Sequence, residues 1–308
     1  MGARGAGSGG GAQMIVIASM KGETLRNIRE IASQGMGADN HSRHIGTAGW
    51  TLPKQHAHHF PAAEENGCKR THLERCAMVL NCVEINSSFH RSHMRKTWER
   101  WAAATPEEFR FAVKIPKTIT HGAKLAGTGG LLETFLGEVS GLGGKLGPLL
   151  VQLPPKLAFE EGVAHEFFTT LRELLPMGED GASGLVACEP RHASWFTPEV
   201  SRLMKGFGVA RVGADPPKGS PSAATPAGWP GLRYWRLHGA PRTYYSEYSK
   251  AFLRGFAKRL REDESKRAAE TWVIFDNTAL GHGTGNAVEL QGLSLRGRAA
   301  SVVSRLKA

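Results

Sequence analysis

From residue 44 onward, short apolar runs alternate with longer stretches whose apolar positions recur at helical spacing. The runs predict strands over 44–50, 79–88, 110–115, 146–153, 184–191, 209–215, 232–238 and 271–277. Helical spacing predicts helices over 92–104, 131–142, 161–175, 197–207 and 246–264. In the last of these, Tyr248, Phe252, Phe256 and Leu260 recur every fourth position, while Arg254, Lys258 and Arg261 fall elsewhere. Thr197-Pro198-Glu199 is a helix start, with an oxygen acceptor followed by proline at the first helical position.

Eight strands, mostly separated by helices, predict an α/β protein built as a single TIM-type (β/α)8 barrel over residues 44–308. The sixth crossover, 216–230, is rich in Pro, Gly, Ser and Ala and predicts an irregular loop over the barrel mouth. A doubly wound open sheet would want a glycine-rich phosphate turn after its first strand, and T-A-G-W at 47–50 is a poor one. Residues 1–43 open with a low-complexity glycine run and predict a flexible extension outside the fold. Within it, 14–18 is too short for a secretory core, and 23–31 offers at most a short amphipathic helix.

Strands of such a barrel are buried on both faces and should be nearly all apolar. Several instead end in polar residues that share one face by the two-residue period. Glu84 and Asn86 close the second strand, Lys114 the third, Gln152 the fourth, and Glu189 and Arg191 the fifth. Tyr234, Arg236 and His238 share a face of the seventh, and Asp276-Asn277 ends the eighth. Taken singly, a strand-end Gln or Lys is an ordinary hydrogen-bonding residue, and Arg191 beside Glu189 reads as an ion pair. So many strands ending this way would be costly unless the groups share a solvated pocket at the carboxyl ends. The last strand runs into G-H-G-T-G-N at 281–286, glycines that suit a phosphate-binding turn at a helix start.

Thirty-nine Lys and Arg against 28 Asp and Glu give a formal charge of +11, which favours an anionic small molecule or nucleic acid as partner. No apolar run approaches the roughly 18 residues a membrane-spanning helix needs, so no membrane association is expected. Cys68, Cys76, Cys82 and Cys188 include no C-x-x-C pair and suggest a reducing, cytoplasmic setting. No protein partner is inferable. His56, His58 and His59 lie in a Pro-flanked stretch that reads as a solvated turn.

These strings together resemble the YecE-like family, domain of unknown function 72. They are I-G-T-A-G-W at 45–50, V-E-I-N-S-S-F at 83–89, F-A-V-K-I-P at 111–116, I-T-H at 119–121 and Q-L-P-P at 152–155. E-P-R-H-A-S-W at 189–195, W-R-L-H-G at 235–239, F-D-N-T at 275–278 and G-N-A at 285–287 complete the set. The resemblance implies a TIM-type barrel and no particular activity. By position it carries Trp50, Glu84, Asn86, Lys114, His121, Gln152, Glu189, Arg191, His192, Trp195, Arg236, His238 and Asn277 into the site. It departs from the family pattern at His90 and Asp276, where Tyr and Asn are more usual.

The leading expectation is an enzyme, a hydrolase or lyase, acting on a phosphate-bearing substrate such as a nucleic-acid or nucleotide phosphoester. Glu84 and Glu189 are its acid–base candidates, with His238 as a further proton-transfer group. Lys114, Arg191 and Arg236 would neutralise phosphate, and Trp50, Asn86, His121, Gln152, His192, Trp195, Asp276 and Asn277 would contribute to binding. No cofactor is firmly implied. A divalent metal on Glu84, Glu189, His238 and Asp276 is conceivable, but the spacing favours no resident metal. The alternatives are a non-catalytic nucleic-acid-binding barrel, with Tyr244, Tyr245 and Tyr248 stacking on bases, and a sugar or sugar-phosphate enzyme with a Trp50–Trp195 platform.

Overall fold

The computed structural model describes residues 43–65, 67–175, 177–178, 184–264 and 270–305, with side chains omitted at 264 and from 295 onward. The sequence features expected within 1–42 lie outside these residues. Eight parallel strands form the barrel: β1 (Arg43–Ala48), β2 (Cys82–Ile85), β3 (Arg110–Lys114), β4 (Leu146–Gln152), β5 (Val186–Glu189), β6 in two pieces (Val209–Arg211 and Gly213–Asp215), β7 (Leu232–Leu237) and β8 (Glu270–Phe275). Each pairs with the next, and β8 returns to β1 with Arg43 opposite Thr271 and Thr47 opposite Phe275. The helices are α1 (His72–Ala77), α2 (Arg95–Ala103), α3 (Gly129–Val139), α4 (Glu161–Leu174), α5 (Pro198–Gly206), α6 (Lys250–Glu264) and α7 (His282–Arg305).

The two-residue period sorts the strands as expected. Val83, Ile85, Phe111, Val113, Val151, Cys188, Trp235 and Phe275 pack outward against the helical layer. Cys82, Ala112, Leu150, Ala187, Tyr234, Trp272 and Ile274 fill the barrel interior. The next inward positions toward the carboxyl ends are the polar ones. The first strand can close on the second because Gly46 has no side chain; a Cβ there would lie 2.0 Å from the Cys82 carbonyl oxygen.

Several sequence expectations need correction. The second strand stops at Ile85, and 87–90 is a one-turn helix begun at Asn86. Tyr248 precedes α6 rather than belonging to its stripe. The sixth crossover carries a 3-10 turn, Pro221–Ala224, and a two-residue strand, Ala227–Gly228, that pairs antiparallel with Val209–Arg211. It therefore runs back along β6 instead of only roofing the mouth, and it takes the hydrogen-bonding edge β7 would otherwise use. Accordingly, on its β6 side, β7 pairs only with Gly213–Asp215. Gly213, whose Cβ would lie 2.6 Å from the Pro226 ring, allows this close return. The His56–His58–His59 stretch is a 3-10 helix with no buried residue, Lys54–His59, in which the His58 and His59 rings meet tilted at 3.9 Å.

At the opposite end, side chains take up backbone groups left open by helix termini. Lys145 Nζ donates to the Ala102 and Thr105 carbonyls at the end of α2 (2.8 and 2.7 Å). Arg172 of α4 donates to the carbonyls of Phe207, Gly184 and Gly208, tying α4 to the entries of β5 and β6. Thr71 and Glu74 form a reciprocal capping box at α1. Thr71→Ala is expected to lower stability by about 1 kcal/mol, measured by urea unfolding, without moving the site. Among the described residues no helix is long and apolar enough to cross a membrane. Cys76, Cys82 and Cys188 are buried thiols, and burial pushes Cys76 up to about 12.

Candidate active site

Strands β2, β3, β5, β7 and β8 deliver one connected charged cluster at their carboxyl ends. Arg236, 1% exposed, is its centre. Its Nε and Nη2 donate to the two oxygens of Glu84 at 3.0 and 2.7 Å. Nη1 donates to Glu189 Oε2 at 2.7 Å, and Nη2 also reaches Asp276 Oδ2 at 3.1 Å. Tyr234, one inward position below Arg236, donates its hydroxyl to Glu84 Oε2 at 2.8 Å. Burial pushes that phenol well above its usual range, so it remains a donor. Arg191 closes the rim with Nε and Nη2 on Glu189 Oε1.

His238 is held between two carboxylates, Nδ1 2.9 Å from Asp276 Oδ2 and Nε2 3.1 Å from Glu189 Oε1. Ionised carboxylates only accept hydrogen bonds, so both ring nitrogens must carry protons. Burial opposes that charge, but Glu189 and both hydrogen bonds outweigh it and raise the pKa. Burial likewise opposes the Glu189 and Asp276 charges, yet Arg236 and the neighbouring cations hold Glu189 well below the carboxylate range and lower Asp276. Asp276→Asn keeps an acceptor at this position but removes its charge. The imidazole NMR titration of His238 is expected to move to lower pH in that variant.

Lys114 is a different kind of cation. Its Nζ sits 3.9 Å above the centre of the Phe89 ring, and among the described residues no carboxylate lies in salt-bridge contact with it. Burial and then Arg236 push its pKa down to about 8, against the milder pull of Glu84, Glu189 and Asp276. The same Phe89 ring is met edge-on at 5.0 Å by His121, whose Nδ1 is 2.9 Å from Thr120 Oγ1. Its pKa is lowered by burial, Lys114 and Arg191, so it is neutral at pH 7. Gln152 ends β4 in register with Glu189, and Asn86 brings a buried Oδ1 with no hydrogen-bond partner.

Thus Glu84, Lys114, Glu189, Arg191, Arg236, His238 and Asp276 come together, with His121 joined through Phe89. Four expected site residues do other work. Trp195 is 1% exposed, donates to the Leu157 carbonyl and packs edge-on against Phe159, so it is core. Trp50 meets Trp101 edge-on, and no Trp50–Trp195 platform exists. His192 Nδ1 bonds Ser194 and caps a short 3-10 turn. Asn277 is fully buried and donates to Ser246 O and Asn286 Oδ1.

Tyr248 is buried as well. Its hydroxyl accepts from the Gly239 amide at 2.8 Å and donates to Asp215 Oδ2 at 2.7 Å, leaving no face for a base. With Asn286, which bonds both backbone groups of Tyr248, it pins the loop after β7. That loop lays Tyr244 edge-on to His238 at 5.9 Å. Tyr234, grouped with the mouth by its strand face but given no role there, and Phe89, absent from the expected site, complete the cluster. The shared strand face signals Tyr234, whereas nothing local marks Phe89.

The carboxylates do not fit a divalent cation. Both oxygens of Glu84 and of Glu189 and one of Asp276 are engaged by guanidinium or imidazolium donors. Among the described residues no group of His, Cys, Asp and Glu is arranged to hold a metal. Beside the cluster, a cavity of about 380 Å³ opens between the ends of β1 and β8, lined by Thr47, Gly49, Thr51, Thr278, Gly281 and Thr284. This is where the glycine-rich turn was expected to receive an anion, although its lining is neutral.

The family model described as "Protein of unknown function DUF72" matches residues 44–305. The UPF0759 protein YecE of Escherichia coli K12 is 37% identical over 84 residues, 27% of this chain. The match spans 31% of that relative's length. A DUF72 family protein from Enterococcus faecalis superposes with TM-score 0.65 at 21% identity, over 82% of this chain and 95% of that one. One from Thermotoga maritima gives 0.64 at 24% identity, over 82% and 99%. At these identities the structural likeness speaks for the fold.

Proposed function

Because the chain belongs to the DUF72 family, proteins of unknown function, we propose a function from the mouth of the barrel: an enzyme acting on a phosphate-bearing substrate by proton transfer. The observation that carries it is the charge balance. Three carboxylates face four cationic groups once His238 is counted as imidazolium, and the cation without a carboxylate contact is Lys114. An incoming anion completes the balance, and desolvated donors fixed in advance bind it without reorganising.

Roles within this proposal follow from the geometry. Glu84 and Glu189 hold Arg236, His238 and Arg191 in place. Their oxygens are committed to these cations, so they position charge more readily than they shuttle protons. Lys114, with a pKa brought down to about 8, and His121, whose pKa is lowered so that it is ready to accept a proton, are the proton-transfer pair. Arg191, Gln152 and Asn86 are the substrate-binding groups at the rim.

Tyr244 and Tyr245 favour a nucleic acid as one bearer of the phosphate. Both are more than a third exposed beside the cluster, and Arg242 stacks on Tyr245 at 4.0 Å. The test is thermal unfolding with inorganic phosphate, sugar phosphates, nucleotides, and intact or abasic oligonucleotides. A ligand at 100 times its Kd stabilises by about 2.7 kcal/mol, a shift of a few degrees. Lys114→Met should abolish the shift. If no anion stabilises the wild-type protein, the proposal fails.

A further inference from the structure

We propose that Lys114 is a Schiff-base nucleophile and that the substrate is an aldehyde or ketone carrying phosphate. This deepens the functional reading above and rests on it. Three features of Lys114 distinguish it from the other cations of the cluster. It is a primary amine at the end of β3 and only 9% exposed. It stands over an aromatic face instead of against a carboxylate. It also faces the permanently charged Arg236, with Glu84, Glu189 and Asp276 at longer range and His121 and Arg191 toward the rim.

A lysine that only neutralises phosphate is best kept fully charged. Arg191 and Arg236 already provide that charge in a form that does not titrate. What burial and Arg236 do to Lys114 is the reverse. With a pKa of about 8, roughly a quarter of the amine is neutral at pH 7.5, whereas an ordinary lysine is almost wholly protonated there. Desolvation beside a second cation is a recognised way of activating a lysine for carbonyl attack.

The chemistry balances with groups already present. The neutral amine adds its lone pair to the carbonyl carbon, and the carbonyl electrons move to oxygen, which is protonated to give a carbinolamine. Loss of the nitrogen proton and of that oxygen as water leaves the iminium. Neutral His121, which meets the same Phe89 ring, accepts and returns protons in these steps. The iminium carries the same single positive charge as the starting ammonium and occupies the same place above Phe89, so the aromatic face serves both states. Arg191, held on Glu189 at the rim, is placed for the phosphate.

The experiment treats full-length protein separately with glyceraldehyde 3-phosphate, dihydroxyacetone phosphate and an oligonucleotide containing one abasic site. Cyanoborohydride is present throughout, and peptide mass mapping reads the adducts. The expected result is one secondary-amine adduct at Lys114, formed at least tenfold faster than at any other lysine, with its rate rising through a midpoint near pH 8. Which probe reacts separates a sugar-phosphate substrate from a nucleic-acid one. Lys114→Arg, which retains charge, should fold, still gain thermal stability from inorganic phosphate, and give no adduct at position 114.

Adducts spread evenly over surface lysines, or anion stabilisation of wild type without an adduct at Lys114, would overturn the Schiff base and leave the anion site standing. Absence of both adduct and anion stabilisation would overturn the two together. Because mapping uses the wild-type chain, a variant that fails to fold does not spare the proposal.

Discussion

Arg236→Met is expected to lower stability by about 3–5 kcal/mol, because the change leaves Glu84, Glu189 and Asp276 facing one another inside the barrel without their shared cation. A domain typically holds only about 5–15 kcal/mol in reserve, so low soluble yield at 37 °C is part of the same expectation. The penalty comes mainly from the stranded carboxylates, not from the lost hydrogen bonds. Removing Glu84 as well should therefore restore part of the loss. The double variant Arg236→Met, Glu84→Leu is expected to lie well above the sum of the two single changes in urea unfolding. Simple additivity, or an Arg236→Met protein within 1 kcal/mol of wild type, would show that the network does not hold the barrel mouth together.

Glu189→Gln should rank next, at about 3 kcal/mol, since one carboxylate holds Arg236, Arg191 and His238. This variant also separates the effects of pH. The Glu189 pKa is depressed in the folded protein, so its contribution is present above the unfolded value of 4.5 and is lost as pH falls through the lower folded value. The His238 pKa is raised, so its contribution is complete below 6.5 and is lost as pH rises through the higher folded value. Lys114 runs the other way. Its buried ammonium costs stability, and deprotonation above about 8 relieves that cost, partly offsetting the alkaline loss from His238.

Wild type should accordingly show a plateau of stability through the mildly acidic range. Glu189→Gln should lose much of the acid-side decline and start its alkaline decline closer to pH 6.5. Urea midpoints from pH 3 to 10 measure both. Parallel curves for the two proteins would exclude the assignment of these limbs to Glu189 and His238.

Much of this arrangement was legible from alternation alone. A strand buried on both faces should contain no charges, so Glu84, Lys114, Glu189 and Arg236 announced the mouth by violating the rule in the same register. The ring of eight strands followed from run lengths and helical spacing. What alternation does not encode is partnership between distant residues. Trp195 and Tyr248 read as rim aromatics until the Leu157 carbonyl and Asp215 are found satisfying their polar ends. Asn277 sits in a family string yet serves the elbow after β7.

Likewise, the sequence shows a carboxylate pair and a histidine as ready acid–base groups. Only the three-dimensional pairing reveals that their protons are already allocated. The split of β6 is not marked by the pattern of 209–215, where Arg211 and Asp215 interrupt small and apolar residues, and its cause lies with Pro226 and Ala227–Gly228, a dozen or more residues away. Gly213 was the one local sign of it.

That split makes the cylinder a ring with a seam. Apart from the register shift between Phe111 and Val113 where β3 meets β4, the ladders resist lengthwise shear except beside Val209–Arg211, where two residues of returning chain replace a full neighbour. Breathing of the wall should therefore start there, and amide exchange near 209–211 and 227–229 should outpace the other staves. The charged cluster draws on β2, β3, β5, β7 and β8 and takes no side chain from the seam strand. The weakest stave can thus fluctuate while the chemistry stays rigid.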